Sequence, residues 1–117
     1  MHRPVFSVGP DDTVQEIEEE LVARKLSWVP VVEPGGNVLG VISSADLLRC
    51  HAEGKQPSKL RAWQLCTFKP LTVTPDTPLS EVARMMIDSN IHHVVVTEGT
   101  ELKGVVSSMD FVRTFLV

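Results

Sequence analysis

The chain repeats itself, and that duplication limits its fold more than any other feature of the sequence. Displaced by 65 residues, Val8-Gly9-Pro10-Asp11 falls on Val73-Thr74-Pro75-Asp76, Glu16 on Glu81, Ile17 on Val82 and Leu26 on Ile91. Val29, Val31 and Glu33 fall in the same way on Val94, Val96 and Glu98. A one-residue deletion in the second copy shortens the displacement to 64, and Gly40-Val41-Ile42-Ser43-Ser44-Ala45-Asp46 then falls on Gly104-Val105-Val106-Ser107-Ser108-Met109-Asp110, with Arg49 on Arg113. Turns, apolar runs and polar positions recur in the same order, so the architecture is two copies of one unit.

Each copy reads as β-α-β-β-α. A short extended piece comes first, at residues 5–8 and 71–74, followed by a Pro-Asp turn. Thr13 precedes a helical pattern that puts Val14, Ile17, Leu21 and Val22 on one face, and Thr13 with Glu16 forms a capping box. In the second copy Thr77 is read as the N-cap and Pro78 as the first helical residue, where a missing N–H costs nothing. Its apolar stripe is Leu79, Val82, Ala83, Met86 and Ile87, and the helix is expected to end near Ser89-Asn90. Two β-branched runs joined by a turn follow in each copy, at residues 28–32 and 38–42 and at residues 93–97 and 102–106. A second helix then starts at Ser43 and at Ser107, with Leu47 and Leu48, then Phe111, Val112, Phe115 and Leu116, on its apolar side. The expected boundaries are a first domain at 1–54, a linker at 55–59 and a second domain at 60–117. Residues 59–67 have no counterpart at the start of the first copy. A unit of this size buries too little surface alone, which is a physical reason for pairing two.

Composition excludes several classes. With 117 residues and a net charge of −4, the chain lacks the basic surface that non-specific nucleic-acid binding needs. No apolar run reaches the roughly 18–20 residues that span a bilayer, and the N-terminus has no signal-peptide core. Cys50 and Cys66 sit in no CxxC or zinc spacing, and free thiols in a reducing, cytoplasmic compartment are expected. No nucleophile elbow, phosphate loop or zinc motif is present, so no enzyme activity is expected.

The element order, together with Val73-Thr74-Pro75-Asp76-Thr77, Trp28-Val29-Pro30-Val31-Val32 and above all Gly-h-h-Ser-x-x-Asp (h, apolar) at residues 40–46 and 104–110, resembles the CBS domain. Two in tandem resemble a Bateman module, and the resemblance covers nearly the whole chain. It implies an α+β fold of two β-α-β-β-α repeats packed by pseudo-twofold symmetry, with clefts that take AMP, ADP, ATP or S-adenosylmethionine as a regulatory ligand, and with no cofactor required. It also implies a homodimer; the alternative is a ligand-free structural dimerisation module. Val95 stands where the second repeat of the family usually has Pro, and Ser43 and Ser107 where Thr is commoner.

Carried over residue by residue, the resemblance places ribose binding at Asp46 and Asp110, with Ser43 and Ser107 nearby. A carboxylate can accept from both hydroxyls of a cis-diol. The same four residues also fit a purely structural role, since Ser-x-x-Asp is a helix N-capping pattern. In members whose corresponding positions carry His-Arg, that pair binds phosphate; His92 and His93 are therefore phosphate candidates, against the alternative that one faces solvent and the other caps a turn. A phosphate would raise a neighbouring histidine's pKa. Metal binding by adjacent strand residues is disfavoured because they point to opposite faces. In the first repeat Trp28 could stack on adenine or fill the cleft or a dimer contact. Phe6 and Leu71 match adenine-pocket positions or are plain core. The two clefts should be unequal, with the one served by His92, His93 and Asp110 the better site.

Overall fold

The computed structural model describes residues 6–68, 71–99 and 101–116. Val5 and Thr100, assigned above to a strand and a turn, lie outside them, as do the side chains of Arg113, Phe115 and Leu116. The chain divides into two compact units, one of Phe6–Lys69 and one containing Pro70–Val117. The sequence pattern instead began the second domain at residue 60. Residues 60–68 thus lead the second repeat in sequence but belong to the first unit in space.

In the first unit, α1 (Val14–Arg24) is followed by the hairpin β1 (Trp28–Val32) and β2 (Val38–Ser43), then α2 (Ser44–Ala52). A 3-10 turn at Pro57–Lys59 leads to α3 (Ala62–Leu65) and β3 (Thr67–Phe68). Strands β1 and β2 are antiparallel, with Val29 opposite Ile42 and Val31 opposite Gly40, and β3 adds to the free edge of β2. Val8 bridges Val31 in parallel. The capping box at the start of α1 forms as read: Thr13 Oγ1 accepts from the Glu16 N–H at 3.1 Å, and Glu16 Oε1 accepts from the Thr13 N–H at 3.2 Å. The Thr13 hydroxyl also donates to Glu16 Oε1 at 2.8 Å, and this bond, followed by the one from the Thr13 N–H, holds the Glu16 carboxyl below its usual range. Val14, Ile17 and Leu21 are buried, but Val22 is 79% exposed, so it does not share their face. Lys25 ends the helix in the left-handed region at φ 57°.

The second unit carries β4 (Thr72–Val73), α4 (Leu79–Ser89), the hairpin β5 (His93–Glu98) and β6 (Glu101–Ser107), and α5 (Ser108–Leu116). Strand β4 runs parallel to β5, with Thr72 opposite Val95 and Val73 opposite Val96. Helix α4 starts one residue later than the sequence suggests. Pro78 is the N-cap, because the Thr77 hydroxyl accepts instead from the Thr74 N–H at 3.1 Å. Asn90 closes α4 in the left-handed region at φ 53°, where the expected end lay. Val82 and Met86 are buried under α4, while Leu79 and Ile87, also placed in the apolar stripe, are exposed. Val73, Val82, Met86, Val94, Val96 and Val106 form the core of this unit.

Each unit ties its second helix to its hairpin in the same way. Ser44 N–H donates to the Ser27 carbonyl at 2.8 Å, and Ser108 N–H to the His92 carbonyl at 2.9 Å. The duplication therefore extends from sequence to individual hydrogen bonds.

Candidate functional site

Both Gly-h-h-Ser-x-x-Asp motifs run from the end of a hairpin strand into the first turn of a helix. In the second unit Asp110 Oδ2 accepts from the Ser107 N–H at 2.8 Å, and the Asp110 N–H donates to Ser107 Oγ at 3.2 Å. In the first, Asp46 Oδ2 accepts from the Ser43 N–H at 2.8 Å and from the Ser43 hydroxyl at 3.1 Å. The capping role is thus real in both repeats, and a third-position acid also meets the positive end of the helix dipole.

The two acids differ in exposure. Asp46 is buried at 6% exposure, and its Oδ1 accepts from Arg49 Nη2 at 2.5 Å. Asp110 is half-buried and lines an open pocket of about 270 Å³. Apolar walls come from Val73, Val82, Val96, Val106 and Phe111, and polar ones from Thr74 and Thr77. The turn that carries these threonines is fixed by its own bonds. Thr74 Oγ1 donates to Asp76 Oδ1 at 2.6 Å and lies 3.0 Å from Thr77 Oγ1. The Thr74 hydroxyl holds the Asp76 carboxyl below its usual range. The pocket offers a carboxylate, two hydroxyls and an apolar surface, which suits a compact ligand with a flat apolar part and a hydroxylated part.

Neither histidine is among the residues that line this pocket. His93 opens β5, opposite Ser107 in register, and is half-buried. Burial pushes its pKa down, the neighbouring His92 adds to that, and Asp110 opposes it, so His93 and Asp110 sense each other's charge. His92 is exposed and lines a separate groove of about 430 Å³ with Met86, Ile87, Ile91 and Ser108. The structure therefore groups His93 with Ser107 and Asp110, and puts His92 on a different surface. Phe111 borders both hollows.

The other candidates occupy their own environments. Trp28 is half-buried at the start of β1, opposite Ser43. Phe6 packs against the first core and under the Arg24 guanidinium, 4.0 Å from its ring centre. Leu71 packs against the second core. Sequence reasoning missed Thr74, Thr77 and Phe111 as pocket-lining residues and Arg49 as the partner of Asp46. The three-residue spacing of Asp46 and Arg49 on one helix was the available signal for the last. Cys50 and Cys66 are buried, and burial raises both thiols' pKa values. Among the described residues no cluster of His, Cys, Asp and Glu could hold a metal, and no helix is long and apolar enough to cross a membrane.

Comparison with known proteins bears directly on this arrangement. The family model described as the CBS domain matches residues 1–53 and again 62–117. A zinc metalloprotease, MJ0392 of Methanocaldococcus jannaschii, is 32% identical over 97% of this chain, which spans 30% of that relative. The chain spans between 22% and 58% of the length of four such curated relatives. The CBS domain pair of protein MJ0100, solved in complex with 5′-methylthioadenosine and S-adenosyl-L-methionine, superposes with a TM-score of 0.89 at 25% identity, over 98% of this chain and 90% of that one. CBSX2 in complex with AMP superposes with a TM-score of 0.83 at 29% identity, over 96% of this chain and 87% of that one.

Proposed function

We propose that this chain, which belongs to the CBS domain family, is a regulatory module that binds an adenosine-type nucleotide at Asp110. The observation that carries the reading is the second unit's pocket, where the Asp110 carboxylate shares one hollow with the Thr74 and Thr77 hydroxyls and with Val73, Val96 and Phe111. A nucleoside matches that set. The carboxylate accepts from the ribose diol, the threonines answer polar atoms, and the apolar side chains flank the base. The adenosine-containing ligands of MJ0100 and CBSX2 support the same chemistry.

His93 is the phosphate contact of this reading, and Ser107 fixes the carboxylate's orientation. A phosphate beside His93 favours the imidazolium that burial disfavours, so nucleotide binding takes up a proton and tightens as pH falls through neutrality. Adenosine, lacking the phosphate, shows no such dependence. The module performs no reaction of its own. Binding favours the conformations that hold the ligand best, and a partner or a further domain reads that shift.

The test is a thermal-shift and calorimetric series with AMP, ADP, ATP, S-adenosylmethionine and NADH. At a hundred times Kd, a bound nucleotide adds about 2.7 kcal/mol of stability. Asp110→Ala should weaken the best ligand by at least about tenfold, the loss of a charge-assisted contact. Unchanged affinity in that variant would remove Asp110 from the site.

One observation favours a second reading, a ligand-free dimerisation module. Matching helix positions in the two repeats expose large apolar side chains, Val22 with Ile87 and Leu48 with Val112. A second copy of the chain is the occupant such a repeated pattern suits. Light scattering on the purified chain, with and without Leu48→Glu, measures it directly.

A further inference from the structure

We infer that the pocket beside Asp110 selects a base carrying an exocyclic amine over one carrying a carbonyl in its place, and that Asp76, which does not line the pocket, imposes the choice by holding the Thr74 hydroxyl proton. The inference rests on the nucleotide reading above and adds which base the site takes.

The protons of the turn can be counted. Thr74 and Thr77 both line the pocket, and each hydroxyl has one proton to give and two lone pairs. Thr74 Oγ1 donates to Asp76 Oδ1 at 2.6 Å. An ionised carboxylate has no proton to return, and this bond is the main reason the Asp76 carboxyl lies below its usual range. The 3.0 Å contact between the two hydroxyls therefore runs from Thr77 to Thr74. Thr77 Oγ1 also accepts from the Thr74 N–H at 3.1 Å. Both hydroxyl protons are committed inside the turn, and each oxygen keeps one lone pair for a ligand. The Thr77 N–H is engaged by the Thr74 carbonyl at 3.1 Å, and Pro75 has no N–H. Asp110, the remaining polar side chain of the pocket among the described residues, is an acceptor by its chemistry.

The polar side chains of this hollow thus present lone pairs, and the groups that meet them must donate. Ribose hydroxyls do so at Asp110, and an exocyclic amine does so at the threonines. Adenine carries that amine. Hypoxanthine has nearly the same shape with a carbonyl there, whose lone pairs would face those of the threonines. A threonine could answer the carbonyl only by withdrawing its proton from the turn, which leaves another acceptor unpaired.

Asp76 sets this polarity without setting the shape of the turn. The first repeat makes the same turn at residues 9–12. The Gly9 N–H donates to Asp12 Oδ2 at 2.8 Å, as the Thr74 N–H does to Thr77, and the Asp12 N–H donates to the Gly9 carbonyl at 3.2 Å. Gly9 has no hydroxyl to give to Asp11, the counterpart of Asp76, so the turn forms without that bond. Asp76 is exposed, and its removal opens no cavity in the core.

Titration calorimetry of the full chain with AMP and with inosine monophosphate tests the inference, on wild type, Asp76→Ala and Asp76→Asn, with circular dichroism to confirm folding. The readout is the ratio of the two affinities, which cancels any general effect of an acid near a phosphate. The wild type should favour AMP by at least about tenfold. Asp76→Ala frees the Thr74 proton and should bring the two affinities within about threefold of each other, chiefly by tighter binding of inosine monophosphate. Asp76→Asn keeps an acceptor for Thr74 and should retain the wild-type preference. Equal affinities in the wild type, an unchanged ratio in Asp76→Ala, or a preference lost in Asp76→Asn as well would each overturn the inference and leave the nucleotide reading standing. If neither probe binds the wild type the inference fails, and if no member of the wider adenosine series binds, the nucleotide reading fails with it.

Discussion

The first residue of the first helix is Val14 in one repeat and Leu79 in the other, and the two are 0% and 58% exposed. Their local structure is nearly the same: each starts an eleven-residue helix that closes on a left-handed cap. The difference lies in what covers them. Val14 is roofed by residues 60–66, which precede the second repeat in sequence; Leu79 borders an open pocket. A duplicated pattern specifies elements and their packing faces, whereas the burial of a face also depends on a segment outside the repeat.

The comparison breaks most decisively at this position. Val14→Asp should destabilise the chain by about 3 kcal/mol or more, since an unpaired charge would sit in a closed core. Leu79→Asp should stay within about 0.5 kcal/mol of wild type, because an acid in the first turn of an exposed helix is tolerated or favoured. Urea melts of the two variants measure both, and equal losses would mean that the two surfaces are equally covered. A smaller effect is expected at the roof. Ala62 is fully buried, and Ala62→Leu overpacks it at a cost of about 1–3 kcal/mol.

Next is the cap. Thr13→Ala removes a complete capping box and should cost about 1 kcal/mol by thermal melting. Thr77→Ala should cost less, because Thr77 tethers a turn and caps no helix. The smallest effect sharpens the comparison by pH. Trp28 and His93 occupy the same repeat position, and only His93 titrates. Its folded pKa lies below the ordinary histidine value of 6.5, chiefly through burial. Its contribution to stability is therefore complete above pH 6.5 and lost as pH falls through the lower folded value. His93→Gln should flatten that part of the stability profile in the absence of nucleotide, and an unchanged slope would assign the acid sensitivity to another group.

Much of this was legible in the sequence because the relevant forces are local. The Thr13 and Glu16 box, the two hairpins, and the paired Ser43–Asp46 and Ser107–Asp110 caps depend on neighbours within a few residues, and all are observed. What failed depended on competition or on distant chain. Thr77 looked like a cap until the Thr74 N–H competed for its hydroxyl. Val22 and Ile87 fitted an apolar stripe but turn outward. Nothing in the spacing of residues 60–66 reveals that they fold back against Pro10, Asp12 and Val14.

The most direct test follows backbone amide shifts by NMR while AMP is added to the full chain. The account predicts progressive shifts at Thr74, Thr77 and Asp110, with Asp46, Ala62 and Cys66 left where they were. Shifts centred on Asp46 and Ala62, or no shifts at Asp110 at saturating AMP, would contradict it.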